Sequence, residues 1–175
     1  MTLEASKDLL KASKIDYLKW KAHVAHINKI VIVHSSWYPE IISSLVNTAK
    51  GQFLEMGVNP QVFECIQVSG SWELPLVIQE TVNNSKEKID MVLALGCVVK
   101  GSTPHFDILC QTVAQSLMKV QLELKVPLAF GVLTVNTLEE AQQRANKGSE
   151  AAEAAFRSWI AIREATMTRN MKEQK

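Results

Sequence analysis

The chain has no stretch of about 18 apolar residues, the length a membrane-spanning helix needs, so no membrane insertion is expected. Its first residues lack the short apolar core of a secretory signal. Glu4, Asp8 and Asp16 do not suit a transit peptide either, and a cytoplasmic location is expected. Charge of one sign is not in excess: 19 Lys and Arg face 18 Asp and Glu, for a net charge of +1. A general nucleic-acid surface usually shows a strong basic excess, so no nucleic-acid partner is expected. Cysteine is scarce. Cys65, Cys97 and Cys110 are widely spaced in apolar stretches, and no CxxC occurs. Neither a zinc site nor a disulfide framework is expected, but buried free thiols in a reducing compartment are. There is no Gly-x-Gly-x-x-Gly, no Walker loop and no metal-ligand spacing.

What is present is ordinary globular material. The 175 residues are 47% hydrophobic and 21% charged, enough for one domain with a sizeable core. Four short apolar runs stand out: Lys29–His34, Val62–Val68, Met91–Gly96 and Leu128–Leu133. They are nearly continuous rather than alternating, as strands buried on both faces are. Helical spacing fills the intervals. Ile41, Ile42, Leu45, Val46, Ala49, Phe53 and Met56 form one stripe, with Pro39 suited to the first turn and Gly57 to the C-cap. Glu73–Asn83 reads as a second helix and Phe106–Lys125 as a third, ended by Pro127. A fourth runs from Thr137 to about Met167, with Gly148 as the natural point for a break.

This order predicts an α/β fold, a three-layer αβα sandwich around a four-stranded parallel sheet. Residues 29–175 read as a single domain. Residues 1–28 read as a helical or partly ordered arm, free on the surface or packed on a neighbouring subunit. Ligands of such sheets bind beyond the carboxyl ends of the strands. The loops to search are therefore Ser35–Tyr38, Ser69–Trp72, Cys97–His105 and Thr134–Asn136.

The segment Lys100-Gly101-Ser102-Thr103-Pro104-His105-Phe106-Asp107 follows a buried strand and opens a helix. Helix N-termini present unpartnered N–H groups and partial positive charge, which suits phosphate. Ser102 and Thr103 add hydroxyl donors. His105 is close enough to move a proton near that anion. A helix capped by Ser or Thr beside an incidental histidine explains the segment equally well. Ser69-Gly70-Ser71-Trp72-Glu73 reads as a capped turn, or as backbone amides set against a heterocycle. Trp37 reads as rim packing or as a stacking platform. Arg144 and Lys147 fit a solvated helix face when taken alone.

Together these pieces resemble the lumazine synthases. The resemblance covers about Lys29 to Trp159. It rests on Ser36-Trp37, on Val68-Ser69-Gly70-Ser71-Trp72-Glu73-Leu74-Pro75 and on Gly96 through Asp107. It continues through Pro127-Leu128-Ala129-Phe130-Gly131-Val132-Leu133-Thr134, Glu139-Glu140-Ala141 with Arg144, and Asn146-Lys147-Gly148. The resemblance implies a flavodoxin-like fold and self-association into a pentamer or a sixty-subunit shell, with sites between adjacent subunits. It implies a transferase of riboflavin biosynthesis that condenses 5-amino-6-(D-ribitylamino)uracil with 3,4-dihydroxy-2-butanone 4-phosphate, without metal or organic cofactor.

By motif position, the resemblance puts Trp37 on the pyrimidine ring. Ser71, Trp72 and Glu73 fall on the ring edge and ribityl chain. Val98, Val99 and Lys100 line the same pocket, largely through backbone, and Phe130 closes it from the neighbour. Ser102, Thr103 and Arg144 hold phosphate, His105 transfers protons, and Lys147 lies near the site. Three departures are visible. Only Ala145, Asn146 and Lys147 separate Arg144 from Gly148, where the family usually has a longer linker. Gln143 stands where glutamate is common, and Pro104 where Thr or Met is common. A scaffold of the same fold, holding a flavin or lumazine without turnover, is the alternative. The presence of His105, Arg144, Ser102 and Thr103 weighs against it.

Overall fold

A computed structural model describes residues 21 and 23–173. Four strands form one sheet: β1 (Ile30–Ser35), β2 (Phe63–Val68), β3 (Met91–Val99) and β4 (Leu128–Val135). All neighbours are parallel, in the order β2-β1-β3-β4. Among the described residues from β1 onward, the α-helices are α1 (Pro39–Glu55), α2 (Leu74–Asn83), α3 (His105–Leu124), α4 (Leu138–Gln143) and α5 (Gly148–Glu173). The three-layer, flavodoxin-like sandwich expected from the sequence is present. No helix among the described residues is long and apolar enough to cross a membrane.

Strand alternation sorts the core into two layers. Ile30, Ile32, Leu93 and Leu95 pack with Leu45, Phe53, Phe156 and Trp159, under α1 and α5. Val31, Val33, Val92 and Ala94 face the other way, against Leu74, Ile78, Val113 and Leu117 of α2 and α3. Both faces of β1 and β3 are therefore buried, which is why their runs are continuous rather than alternating. Val24 and Ile27 are buried in the first layer, so the packed unit begins before Lys29. The arm expected over residues 1–28 lies, for residues 1–20, outside the described residues.

Several element boundaries differ from the sequence expectation, three of them for a reason the structure shows. Strand β3 runs past Gly96 to Val99, because its ladder with β4 continues to Val99↔Val135. Helix α3 stops at Leu124, before Pro127, with Lys125 left-handed at φ 54°. The fourth helical stretch is two helices. Thr137 caps α4 by accepting from Glu140 N–H at 3.2 Å, and the Glu140 carboxylate accepts from Asn136 N–H at 2.9 Å. This reciprocal cap starts α4 firmly, but it ends at Gln143. Helix α5 restarts at Gly148, which lies against α1 so closely that a Cβ there would sit 1.9 Å from the Leu45 carbonyl oxygen.

Candidate active site

The connection from β1 leads to β2 on one side of it, and the connection from β2 returns past β1 to β3 on the other, so the switch point of the sheet lies between β1 and β3. A crevice opens there, at the carboxyl ends, as expected for open α/β sheets. Its volume is about 360 Å³, and Trp37, Ser71, Trp72, Glu73, Val98, Val99 and His105 all line it. That is the size of a small-molecule site.

The crevice exists because the strands end at different heights. Pairing of β1 with β3 stops at His34↔Leu95, while β3 pairs with β4 as far as Val99. The last residues of β3 thus have a strand on one side only. Val92 N–H donates to Pro127 O at 2.8 Å and Lys100 N–H to Val135 O at 2.9 Å. Even-numbered N–H groups of β3 therefore face β4, and by alternation those of Val99 face the crevice. An unpaired strand edge offers one donor and one acceptor side by side, which matches the edge of a planar amide-like ring.

The opposite wall comes from two turns. Ser36 Oγ donates to Ser69 O at 2.8 Å, tying the loop after β1 to the loop after β2. Gly70 N–H donates to the Glu73 carboxylate at 2.8 Å, which holds the short helical turn Ser71–Glu73. Trp37 lies beside Gly70, its Nε1 3.6 Å from where a Cβ would be. Trp37 and Trp72 remain 65% and 57% exposed. Such large aromatic surfaces at the lip of a crevice suit stacking on a ring more than packing. Tyr38 sits between β1 and α1 at φ 59°, a left-handed conformation that costs a non-glycine residue energy and is concentrated at functional sites.

Helix α3 points its N-terminus at the crevice. Its N-cap is Pro104, with no side-chain cap hydrogen bond. The Ser or Thr cap considered from the sequence is therefore absent, and the first N–H groups of α3 have no side-chain partner. His105 is the first residue of that helix and lines the crevice. Ser102 and Thr103 are exposed in the bend immediately before it, outside the crevice wall. Cys97 lines the crevice too, but burial pushes its thiol up to about 11, so it remains protonated near neutral pH and is a poor nucleophile.

The remaining sequence candidates lie elsewhere in the chain. Lys100 is exposed and stands over the Phe106 ring, 5.7 Å from its centroid. Its N–H is committed to Val135, so within one chain it does not line the crevice. Phe130 is on edge strand β4, 46% exposed. Arg144 follows α4 and is exposed, with Nη1 donating to Glu140 O at 3.0 Å. Lys147 forms an ion pair with Glu150. Tyr38, Ser69, Gly70 and Cys97, which fall in the loops and motifs read from the sequence without a role of their own, complete the wall with Leu109, which the sequence did not point to. Among the described residues, no three His, Cys, Asp or Glu side chains stand together as a metal site requires.

Fold and crevice define the class: a flavodoxin-like α/β protein with a crevice of small-molecule size at the switch point of its sheet. Residues 28–162 match the family model for 6,7-dimethyl-8-ribityllumazine synthase. The enzyme of that name from Mycobacterium ulcerans is 38% identical over 144 residues, spanning 78% of this chain and 86% of its own. That from Micrococcus luteus is 37% identical over 143 residues, 78% and 86% of the two chains. That from Aquifex aeolicus is 39% identical over 130 residues, 71% and 83%. The chain belongs to the 6,7-dimethyl-8-ribityllumazine synthase family.

Proposed function

We propose that the protein condenses 5-amino-6-(D-ribitylamino)uracil with 3,4-dihydroxy-2-butanone 4-phosphate to 6,7-dimethyl-8-ribityllumazine, releasing phosphate and two waters. The observation that carries this reading is His105 at the uncapped start of α3, facing a crevice flanked by two exposed indoles. The pyrimidine stacks on Trp37. Its edge meets the free backbone edge at Val99, and its ribityl chain runs toward Ser71, Trp72 and Glu73, beside Val98. The phosphate of the second substrate sits at the N-terminus of α3, held by Ser102 and Thr103, where N–H groups and the helix dipole favour an anion.

The chemistry needs proton transfers rather than redox steps. An amine adds to a carbonyl and loses water, a phosphate departs, and a ring closes with loss of the second water. His105 accepts and returns protons during these steps, since its imidazole lines the crevice and can serve as general base and then general acid. Holding the two substrates together supplies much of the rest, up to roughly 7–11 kcal/mol in good geometry.

The crevice of one chain is half a site in this reading. Phe130 and Arg144 are exposed and outside it. They act in the crevice of an adjacent copy, where Phe130 closes over the ring and Arg144 grips the phosphate bidentately. Lys100 and Lys147 add positive charge near that rim. A copy that gives Phe130 and Arg144 to one neighbour and receives them from another makes a head-to-tail ring. We assign a pentamer, with a sixty-subunit shell as its larger form. The free thiols suit the reducing cytoplasm, to which we assign the reaction. The test is to mix both substrates with the full chain and follow the lumazine chromophore, alongside native mass measurement. Product formation by a species with a multiple of five chains is expected. No product, or a stable monomer, contradicts the reading.

A further inference from the structure

The opposite end of the sheet carries a second cleft, of about 280 Å³, between the amino ends of β3 and β4 and helix α5. Its walls are apolar: Ile89, Val126, Pro127, Ile162 and Met167. Its charges are uneven, with Lys88, Lys125 and Arg163 facing a single carboxylate, Asp90.

Asp90 is buried and fully engaged. It accepts from Lys88 Nζ at 3.1 Å, from Trp159 Nε1 at 3.2 Å, and from Asn28 through both its backbone N–H at 2.7 Å and its side-chain amide at 3.0 Å. Lys88 is thereby neutralised. Lys125 has no ion pair among the described residues. Arg163 stands over the Trp159 ring, its Cζ 4.9 Å from the ring centroid. Its Nε is buried without a hydrogen-bond partner. A buried guanidinium donor left unpaired costs free energy, so Arg163 is not fully satisfied within the chain, and its planar guanidinium, on a residue that lines the cleft, suits a carboxylate or phosphate.

The structure assigns this cleft as a second small-molecule site, which takes a compact anion with a flat apolar body. Arg163 and Lys125 hold the anionic group, and the body packs against Ile162, Pro127 and Met167. The cleft lies at the far end of the sheet from the crevice and shares no lining residue with it. An aryl phosphate or aryl carboxylate has the right chemistry; inorganic phosphate has the charge without the body.

The test uses calorimetric titration of the full chain with phenyl phosphate, and separately with inorganic phosphate. It is run in an Arg144→Ala background, so that the crevice's own proposed phosphate grip does not contribute. Saturable binding of phenyl phosphate with a dissociation constant of about 1 mM or tighter is expected, with inorganic phosphate weaker. Adding Arg163→Met should weaken it at least tenfold. Adding Lys125→Asn, which keeps a residue tolerant of the left-handed backbone, should weaken it several-fold. Thermal melts establish that each variant is folded. Arg163→Met in the wild-type background should leave lumazine formation unchanged. No saturation by about 10 mM, unchanged binding in both variants, or equal binding of the two probes overturns the proposal.

Discussion

Gly96 and Ser71 are in contact across the base of the crevice: a Cβ on Gly96 would lie 2.6 Å from Ser71 Oγ. Ser71 is buried and its hydroxyl has no partner, although it lines the crevice. The glycine is therefore what lets the Ser71 turn approach β3. Gly96→Ala should force that turn outward, destabilise the fold by about 1–3 kcal/mol and reduce lumazine formation at least tenfold. Adding Ser71→Ala removes the clashing oxygen and should recover most of the stability. Chemical denaturation of the two single variants and the double variant checks this. Additive losses would show that the contact is not the cause.

Arg144 and His105 should fail differently. Arg144→Ala should raise KM for the phosphorylated substrate by tenfold or more while pyrimidine binding changes little. His105→Ala should lower kcat by roughly 10²–10⁴-fold and leave assembly intact. Steady-state kinetics with each substrate varied, together with native mass, separates the two. Equal loss of both substrates in Arg144→Ala would remove its phosphate role, and an unchanged rate in His105→Ala would remove the histidine from the chemistry.

Asp90 ties three parts of the chain together: Asn28 before β1, Lys88 before β3, and Trp159 on α5. Burial pushes its carboxyl up, but the donors from Asn28 and Lys88 outweigh burial and hold it below its ordinary value. A depressed carboxyl contributes stability that is fully present above the unfolded value, near 4, and is lost as pH falls through the folded one. Asp90→Asn should therefore cost about 2–4 kcal/mol at pH 7, and its deficit should shrink below pH 4. Melting temperatures from pH 3 to pH 7 read this directly. A deficit independent of pH would mean that the charge on Asp90 does not matter.

Much of this was legible in the sequence, for physical reasons. Apolar runs marked all four strands, most continuously in β1 and β3, whose two faces are both covered. Pro39, Gly57 and the Thr137–Glu140 pair mark helix ends by local chemistry alone. The apolar run read for β3 stopped at Gly96, yet pairing with β4 carries the strand to Val99, and that overhang makes the crevice. The break between α4 and α5 is hidden by good helix formers. Gly148 is legible as a weak point, but its reason is contact with Leu45, a hundred residues away in sequence. Trp37, Ser71 and His105 were found from loop position and motif. Tyr38 and Cys97 lie at the ends of loops named from the sequence, while Leu109, a turn into α3, joins them only in three dimensions. Phe130 and Arg144 stay apart from the crevice in a single chain, so only the family resemblance in the sequence, and not the packing of one subunit, joins them to it.

The central claim is that one chain's His105 works with another chain's Arg144. Coexpressing equal amounts of His105→Ala and Arg144→Ala chains tests it most directly. Each variant alone should be nearly inactive. In mixed rings, some sites pair an intact His105 with an intact Arg144 from the neighbour, and about a quarter of wild-type lumazine formation should return. Activity of the mixed rings no higher than that of the separate variants would contradict the shared site.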